Sequence, residues 1–132
     1  MHRSVLLGSA MALMLSGCNG ERDLPQAYRD LEVPRERLDS AAARERGRTL
    51  YLRHCALCHG ERADGRGVRR EGLSAPPRDF TDPDWRRRTS ARRVYHSIRE
   101  GSRGTPMPGW KSLSEPETWD LVAYLMSVGD KK

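Results

Sequence analysis

The spacing of hydrophobic residues first predicts a helix over residues 40–54. Its apolar and small positions recur in steps of three and four, as on one face of a helix. Ser40 is a residue type that caps helix N-termini. Gly47 is costly inside a helix, so its presence indicates a close approach by a second helix. The residues on the predicted inner face are Ala43, Gly47, Leu50, Tyr51 and His54.

Two further helices follow from the same kind of pattern. A short helix is predicted from Ser90 to about Glu100, and Gly101 is suited to end it. The last helix begins at Ser114, which forms an S-x-x-E capping box with Glu117. No segment alternates like a strand, so the prediction is an all-α domain of about three to four helices with long loops. The apolar positions of these two helices are Val94 and Ile98, then Leu121, Tyr124, Leu125 and Val128.

The N-terminus has the pattern of an export signal. The apolar run from Val5 to Leu15 is too short to cross a membrane as a mature helix and fits the core of a secretory signal. It ends in Leu-Ser-Gly-Cys at Cys18, which resembles the lipobox of bacterial lipoproteins, although an ordinary cleavable signal is the alternative. We therefore expect a signal peptide over residues 1–17, and a mature chain on the periplasmic side of a bacterial membrane, lipid-anchored at Cys18.

The segment after the signal predicts a tether. Residues 19–39 mix charges with prolines and show no sustained apolar period. The expected organisation is therefore a lipid-anchored tether over residues 18–39 and a globular domain over residues 40–132.

Composition and charge narrow the candidate chemistry. Only 36% of the residues are hydrophobic, so a metal, a disulfide or a bulky cofactor is expected to support a thin core. The formal net charge is +6 at pH 7. Because the chain is predicted to be exported, we expect no nucleic-acid partner; the basic surplus faces a membrane or an acidic protein.

The sequence His-Cys-Ala-Leu-Cys-His at positions 54–59 is compatible with three chemistries. A structural zinc site normally needs a second pair of ligands, and no second C-x-x-C or H-x-x-x-H pair exists. A thiol–disulfide motif would need a βαβ context, which the helical pattern does not offer. C-x-x-C-H is the attachment signature of c-type haem: Cys55 and Cys58 can each form a thioether to one porphyrin, and His59 follows as a ligand of the iron.

A second iron ligand tests the haem interpretation. Haem iron that transfers electrons can carry His and Met as its two axial ligands. After the predicted signal peptide, the chain contains only Met107 and Met126. Met126 lies in the predicted last helix, where Met usually fills a core. Met107 stands between Pro106 and Pro108 in a constrained loop and is the candidate axial ligand.

From about Ser40 to Val128 the chain resembles the class I c-type cytochromes, the mono-haem family with His/Met ligation. The matching pieces stand in the family's order: G-x-x-x-Y from Gly47, then C-A-L-C-H-G, D-G-R-G, P-P-R-D-F-T, T-P-M-P-G-W and W-D-L-V-A-Y-L. The resemblance implies a small cytochrome c fold wrapped around one haem c per chain, covalently bound. It also implies that the first and last helices cross near Gly47, with Tyr51 packed against residues such as Trp119, Leu121 or Tyr124.

The resemblance also suggests residues around the cofactor. A carbonyl of Pro76 or Pro77 is expected to accept the second ring nitrogen of the ligating histidine. Arg78 is a candidate partner for a haem propionate, although a solvated role is as well supported. The remaining candidates are apolar walls of the haem pocket: Phe80, Trp85 and Trp110.

The function implied is one-electron transfer in a respiratory or oxidoreductase chain, without catalytic residues of the chain's own. The partners would be a redox donor and acceptor. The basic stretch, defined as Arg86, Arg87, Arg88, Arg92 and Arg93, is interpreted as either a docking patch for an acidic partner or a solvated face. Two alternatives stay open: a haem subunit of a larger oxidase or dehydrogenase, and a haem sensor or peroxidase-like protein in which Met107 is labile.

Overall fold

The structure, a computed structural model, describes residues 21–130 as helices joined by long loops. Within that range there are seven α-helices and no β-strand, which confirms the predicted all-α class. The helices are α1 (Gln26–Arg29), α2 (Arg35–Asp39), α3 (Ala41–His54), α4 (Ala56–His59), α5 (Pro83–Arg88), α6 (Ala91–Glu100) and α7 (Glu115–Ser127), followed by a 3-10 turn (Val128–Asp130).

Helices α3 and α7 form the frame of the fold. They make the most extensive helix–helix contact, and they cross at Gly47 as the sequence predicted. A Cβ atom at Gly47 would lie 1.9 Å from the carbonyl oxygen of Asp120. No side chain fits there, so the glycine sets how closely the two helix backbones approach.

The core lies beside this crossing. Tyr51 of α3 and Leu121 and Val122 of α7 are almost completely buried. The rings of Tyr51 and Tyr124 pack with their centroids 5.1 Å apart, which confirms the expected contact between the two helices. Helix α7 is buried on several faces, because other elements cover the sides that α3 leaves open.

The predicted helix ends are confirmed by their capping contacts. The side chains of Ser40 and Ser90 accept hydrogen bonds from backbone N–H groups in the first turns of α3 and α6. Ser114 and Glu117 form the complete capping box at the start of α7. Gly101 ends α6 with φ +78°. The long helices therefore begin and end where local sequence signals place them.

The segment predicted as a tether is packed against the domain from residue 21 onward. Leu24 is buried, and α1 and α2 contact the longer helices. The Arg92 guanidinium donates to the Leu31 carbonyl at 2.7 Å and lies 3.3 Å from a Glu21 carboxylate oxygen. Residues 21–39 are therefore a docked collar and not an extended linker. The predicted signal peptide and Cys18 lie outside the described residues.

A buried carboxylate holds the second half of this collar. Asp120 of α7 accepts from Arg37 of α2 at 2.6 Å and from Arg46 of α3 at 2.7 Å. One carboxylate thereby joins three helices. Of the helices described, none is both long and apolar enough to cross a membrane.

Candidate functional site

The two cysteines lie where α3 ends and α4 begins. Cys55 donates its backbone N–H to the Tyr51 carbonyl at 2.8 Å and is the residue between the two helices. Both Cys55 and Cys58 are free thiols and both are half-buried. Burial raises the pKa of the Cys55 thiol to about 12, and the neighbouring Cys58 contributes to that rise. Cys55 is therefore protonated at neutral pH and is not the low-pKa thiolate that thiol exchange uses.

Tyr51 fixes the end of this cysteine segment. Its hydroxyl donates to the Gly60 carbonyl at 2.7 Å, and both residues are buried. Burial raises the pKa of Tyr51, so the hydroxyl keeps its proton and remains a donor. The helical pattern predicts Tyr51 as a core residue; the hydrogen bond to Gly60, which joins the cysteine segment to α3, has no local sequence signal.

A glycine-rich loop follows the cysteine segment and is hydrogen-bonded along its backbone. Gly65, Gly67 and Arg69 donate their N–H groups to the carbonyls of His59, Cys58 and Leu57 at 2.8, 3.1 and 2.9 Å. A Cβ atom at Gly67 would lie 2.3 Å from the Leu57 carbonyl oxygen. The loop, residues 65–69, therefore packs directly against the short helix α4 and holds it in place.

His59 is oriented through one ring nitrogen. Its Nδ1 lies 3.0 Å from the Arg78 carbonyl oxygen; because a carbonyl only accepts, Nδ1 carries the proton. Burial lowers the pKa of His59, and the hydrogen bond to Arg78 opposes that effect. A neutral ring with Nδ1–H engaged presents the lone pair of Nε2, which is the form that binds a metal.

The accepting carbonyl corrects one prediction. Pro76 or Pro77 was expected to supply it, and the acceptor is Arg78, one residue later. The Pro77 carbonyl instead packs against Gly65, where a Cβ atom would lie 2.8 Å from it. Arg78 enters the site through its backbone, and its side chain is exposed. Which carbonyl faces His59 depends on backbone direction, which residue types alone do not determine.

Two of the predicted wall residues pack near His59. The rings of Phe80 and His59 have centroids 4.8 Å apart, and Trp85 packs edge-on against Phe80 at 5.1 Å. The backbone N–H of Phe80 donates to the Ala63 carbonyl at 2.8 Å. Ala63 is fully buried with φ +61°, a strained conformation for a residue with a side chain. No local sequence pattern indicated this contribution of Ala63.

Met107 lies in a loop that is packed against the end of α6. Its carbonyl accepts from the Ser102 N–H at 3.1 Å, and its own N–H donates to the Thr105 hydroxyl at 3.2 Å. A Cβ atom at Gly101 would lie 2.6 Å from the Met107 carbonyl oxygen, and one at Gly109 would lie 2.7 Å from the Arg99 carbonyl oxygen. Two glycines therefore allow the Met107 loop to lie directly on the helix end.

The other candidates take different positions. The backbone N–H of Trp110 donates to the Ile98 carbonyl at 2.7 Å. The Trp110 ring packs against the His54 ring with centroids 5.0 Å apart. Met126 is half-buried against the core, as expected for a Met in the last helix. Within residues 21–130, no three His, Cys, Asp or Glu side chains come together as a metal-binding group.

The basic stretch is largely engaged inside the molecule. Arg86 donates to the Met126 carbonyl at 2.8 Å, and Arg87 pairs with Asp84 of its own helix. Arg92 and Arg93 pair with Glu21 and Asp23 of the collar. All five residues contact acidic or carbonyl groups, since Arg88 also donates to the Asp84 carbonyl at 3.2 Å, and the two on α6 hold the N-terminal segment. Met126, Glu21 and Asp23 lie at least 40 residues away from their arginines in sequence, so no local pattern indicated these contacts.

Comparisons with known proteins show the family of the chain. The family model described as "Cytochrome C oxidase, cbb3-type, subunit III" matches residues 42–125. The chain is 33% identical over 98 residues to the cbb3-type cytochrome c oxidase subunit CcoP of Azospirillum brasilense, covering 74% of this chain and 32% of that one. It is 31% identical to the CcoP subunit of Azospirillum sp. (strain B510) over 91 residues, covering 66% of this chain and 29% of that one. The chain thus spans about a third of the length of these relatives.

Solved structures add similarity at the level of the fold. The reducing HAO-like protein complex of Kuenenia stuttgartiensis contains a chain that matches with a TM-score of 0.58 and 25% identity, over 74% of this chain and 45% of that one. The c-type cytochrome KustC0563 matches with a TM-score of 0.51 and 37% identity, over 62% of this chain and 95% of that one. With the family match across residues 42–125, the chain belongs to the family of cbb3-type cytochrome c oxidase subunit III, as a c-type cytochrome domain of the kind that transfers electrons through haem c.

Proposed function

We propose that this chain is a one-electron carrier with a single haem c joined by thioethers to Cys55 and Cys58. His59 and Met107 are proposed as the axial ligands of the iron. The proposal includes a lipid at Cys18 that anchors the chain on the periplasmic side of a bacterial membrane. A redox protein donates the electron, and another accepts it.

The arrangement of His59 is the observation that carries the proposal. Its Nδ1–H donates to the Arg78 carbonyl, so the ring is neutral and Nε2 is available as the ligand. The two thiols are unpaired with each other and lie on the same short turn as this ring. Free thiols and an oriented neutral imidazole are the donor set that covalent haem attachment requires.

The protein's own residues would keep the site rigid. Haem supplies an iron that changes its charge by one electron, and His/Met ligation sets a high reduction potential. Phe80 and Trp85 exclude water from the His59 side. Tyr51 and the Gly65–Arg69 backbone prevent α4 from shifting. Fixed ligand positions keep the reorganisation small when the charge of the site changes.

Absorption spectroscopy tests the proposal on the purified full chain. Haem colour that stays with the protein through acid–acetone extraction, and is lost in a Cys55→Ser, Cys58→Ser variant, supports the covalent link. The oxidised protein is expected to show a weak long-wavelength Met–iron band that disappears in Met107→Ala and persists in Met126→Leu. A colourless protein, or a band that survives Met107→Ala, contradicts the proposed site.

The relatives favour a second candidate, a haem subunit of a larger oxidase. The two Azospirillum relatives are oxidase subunits, and this chain corresponds to about a third of each. Purification from native membranes in mild detergent separates the two functions. A free carrier elutes without oxidase activity, whereas a subunit co-purifies with it in constant ratio.

The lipid anchor has its own test. Wild-type protein is expected to partition into the detergent phase of Triton X-114, and Cys18→Ser into the aqueous phase. Mass spectrometry of the N-terminal peptide should then show a diacylglyceryl group on Cys18. An unmodified Cys18 in membrane-extracted protein would refute this part of the proposal.

Carbon monoxide tests the sensor alternative, because rapid binding to the reduced protein requires Met107 to leave the iron.

A further inference from the structure

The exposed apolar side chains of the described residues gather on one surface. Three large hydrophobic side chains stand out, Leu52, Leu57 and Val68, with exposed fractions of 37%, 48% and 84%. All three line the same open groove, whose volume is about 830 Å³. Scattered exposed apolar residues are common on proteins, but a contiguous apolar patch marks an interaction surface.

The hydrogen-bonded backbone around Val68 keeps its side chain exposed to solvent. Gly67 and Arg69, on either side, donate their N–H groups to the carbonyls of Cys58 and Leu57. Because both neighbours face α4, the residue between them faces solvent. A Cβ atom at Gly67 would lie 2.4 Å from the Cys58 carbonyl oxygen, so the loop lies too close to α4 for a larger residue there. The fold therefore keeps Val68 exposed beside Leu57.

The exposed charged residues at the rim of the groove are mainly basic: Arg48, Arg62 and Arg66 against Glu61. Arg62 and Arg48 have side chains that are 86% and 51% exposed. Asp64 is only 20% exposed; it accepts from the Arg66 backbone N–H at 3.1 Å and lies 3.6 Å from Arg62. Its charge is therefore directed into the loop. The other charged residues that line the groove are Glu61 and Arg66.

The groove lies against the proposed haem attachment segment. Ala56 and Leu57, which both line it, stand between Cys55 and Cys58 in the chain. A protein bound in this groove would contact the same turn that is proposed to carry the haem thioethers. The basic stretch offers less to a partner, because Arg92 and Arg93 already pair with the collar.

We propose that this groove, lined by Leu52, Leu57 and Val68 and bordered by Arg48, Arg62 and Arg66, is where a redox partner protein docks with an apolar contact surrounded by acidic residues. The inference rests on the proposed haem site. Apolar contact at the centre excludes water, and the arginine rim steers an acidic partner into place. A small contact of this kind also allows the rapid release that electron transfer needs.

Electron-transfer kinetics on the full-length holoprotein test the docking surface. The reduced protein is mixed in a stopped-flow instrument with an acidic blue-copper protein, and separately with hexacyanoferrate(III). Val68→Asp places a negative charge in the groove, Val68→Ser removes only apolar contact, and Ala42→Asp makes the same charge change at an exposed site on the first turn of α3.

We expect Val68→Asp to slow the reaction with the copper protein by about tenfold at low salt, Val68→Ser by about threefold, and Ala42→Asp by less than about twofold. The rate with hexacyanoferrate(III) should differ by less than about twofold between Val68→Asp and Ala42→Asp. Equal slowing of the copper-protein reaction by these two variants would overturn the inference. Sedimentation that shows a wild-type dimer broken by Val68→Asp would also overturn it, in favour of a second copy in the groove.

Different results would contradict the proposed haem site and the proposed docking surface. Protein without covalent haem would remove the proposed function and the docking inference with it. Protein with covalent haem and a normal Met–iron band, but with equal rates in all variants, would remove only the docking surface.

Discussion

Gly101→Ala tests whether the end of α6 sets the position of Met107. Gly101 has φ +78° and ψ −171°, a conformation almost restricted to glycine. An added Cβ atom would lie 2.6 Å from the Met107 carbonyl oxygen and 2.8 Å from the Gly109 nitrogen. Both neighbours are backbone atoms, so no side-chain rotation can relieve the contact. The loop that carries Met107 has to move away from the helix.

The expected loss of stability has two parts. The unfavourable backbone conformation costs about 1–3 kcal/mol. Overpacking against backbone atoms adds about 1–3 kcal/mol. Gly104→Ala is the matched control in the same loop, because Gly104 also has a positive φ, +77°, and nothing lies within 4 Å of an added Cβ atom. The control should lose about 1 kcal/mol and leave the loop in place.

Two measurements separate these effects on the holoprotein. Urea denaturation gives the free energy of unfolding, and the long-wavelength Met–iron band of the oxidised protein reports the proposed bond to Met107. We expect Gly101→Ala to weaken the band and to lower the reduction potential, while Gly104→Ala keeps both. If Gly101→Ala keeps the full band and loses no more stability than Gly104→Ala, the packing of Gly101 does not position Met107.

Three further substitutions test the helix packing and the pH dependence of stability. Gly47→Ala should lower the free energy of unfolding by about 2 kcal/mol, because overpacking against the Asp120 carbonyl outweighs the better helix propensity of alanine; unchanged stability in urea would contradict the close crossing. Tyr51→Phe removes one of the two donors to the buried Gly60 carbonyl, which still accepts from the Ala63 N–H at 3.0 Å, and should cost about 0.5–1.5 kcal/mol, measured in the same way. Burial raises the pKa of Tyr28 from 10.0 to about 12, so its contribution to stability is complete below pH 10 and lost as the pH rises toward 12. Tyr28→Phe should therefore show a smaller loss of unfolding free energy between pH 9 and pH 12 than wild type; equal losses would show that Tyr28 does not titrate as described.

The sequence predicted the elements whose signals are local. Helices α3, α6 and α7 are capped by Ser40, Ser90 and Ser114. These starts could be predicted because a capping side chain acts within three residues of its own position. Gly47 indicated the helix crossing because a glycine inside a helix needs a steric reason. Such signals are independent of the rest of the chain.

The elements that were missed depend on distant partners. Helices α1, α2 and α5 have four to six residues, too few to show an apolar period. The collar is held by Arg92 and Arg37, whose acidic partners lie 71 and 83 residues away. Charged residues are assigned to solvent by default, and nothing local shows which of them will meet a partner. The sequence therefore predicted a tether where the chain forms a docked segment.

The candidate site likewise has a part that could be predicted from the sequence and a part that could not. Its proposed chemical groups, Cys55, Cys58, His59 and Met107, were predicted from residue types and spacing. Their surroundings were not, because those are mostly backbone: the Arg78 carbonyl orients His59, and the Ala63 carbonyl holds Phe80. A carbonyl is present at every residue, so only the folded path of the chain determines which one faces the site.

Close backbone contacts at glycine explain how a chain with few hydrophobic residues can hold such a site. Gly47 brings α7 onto α3, Gly67 brings the loop onto α4, and Gly101 brings the Met107 loop onto α6. In each case the partner is a backbone atom that a Cβ atom would displace, so position is set by hard contact between main chains. Large side chains are then free for other uses, and this fold leaves Leu57 and Val68 at the surface beside the motif. Substitutions at these glycines should therefore displace the proposed ligands, whereas substitutions at the exposed apolar residues should leave the site intact and change only what it meets.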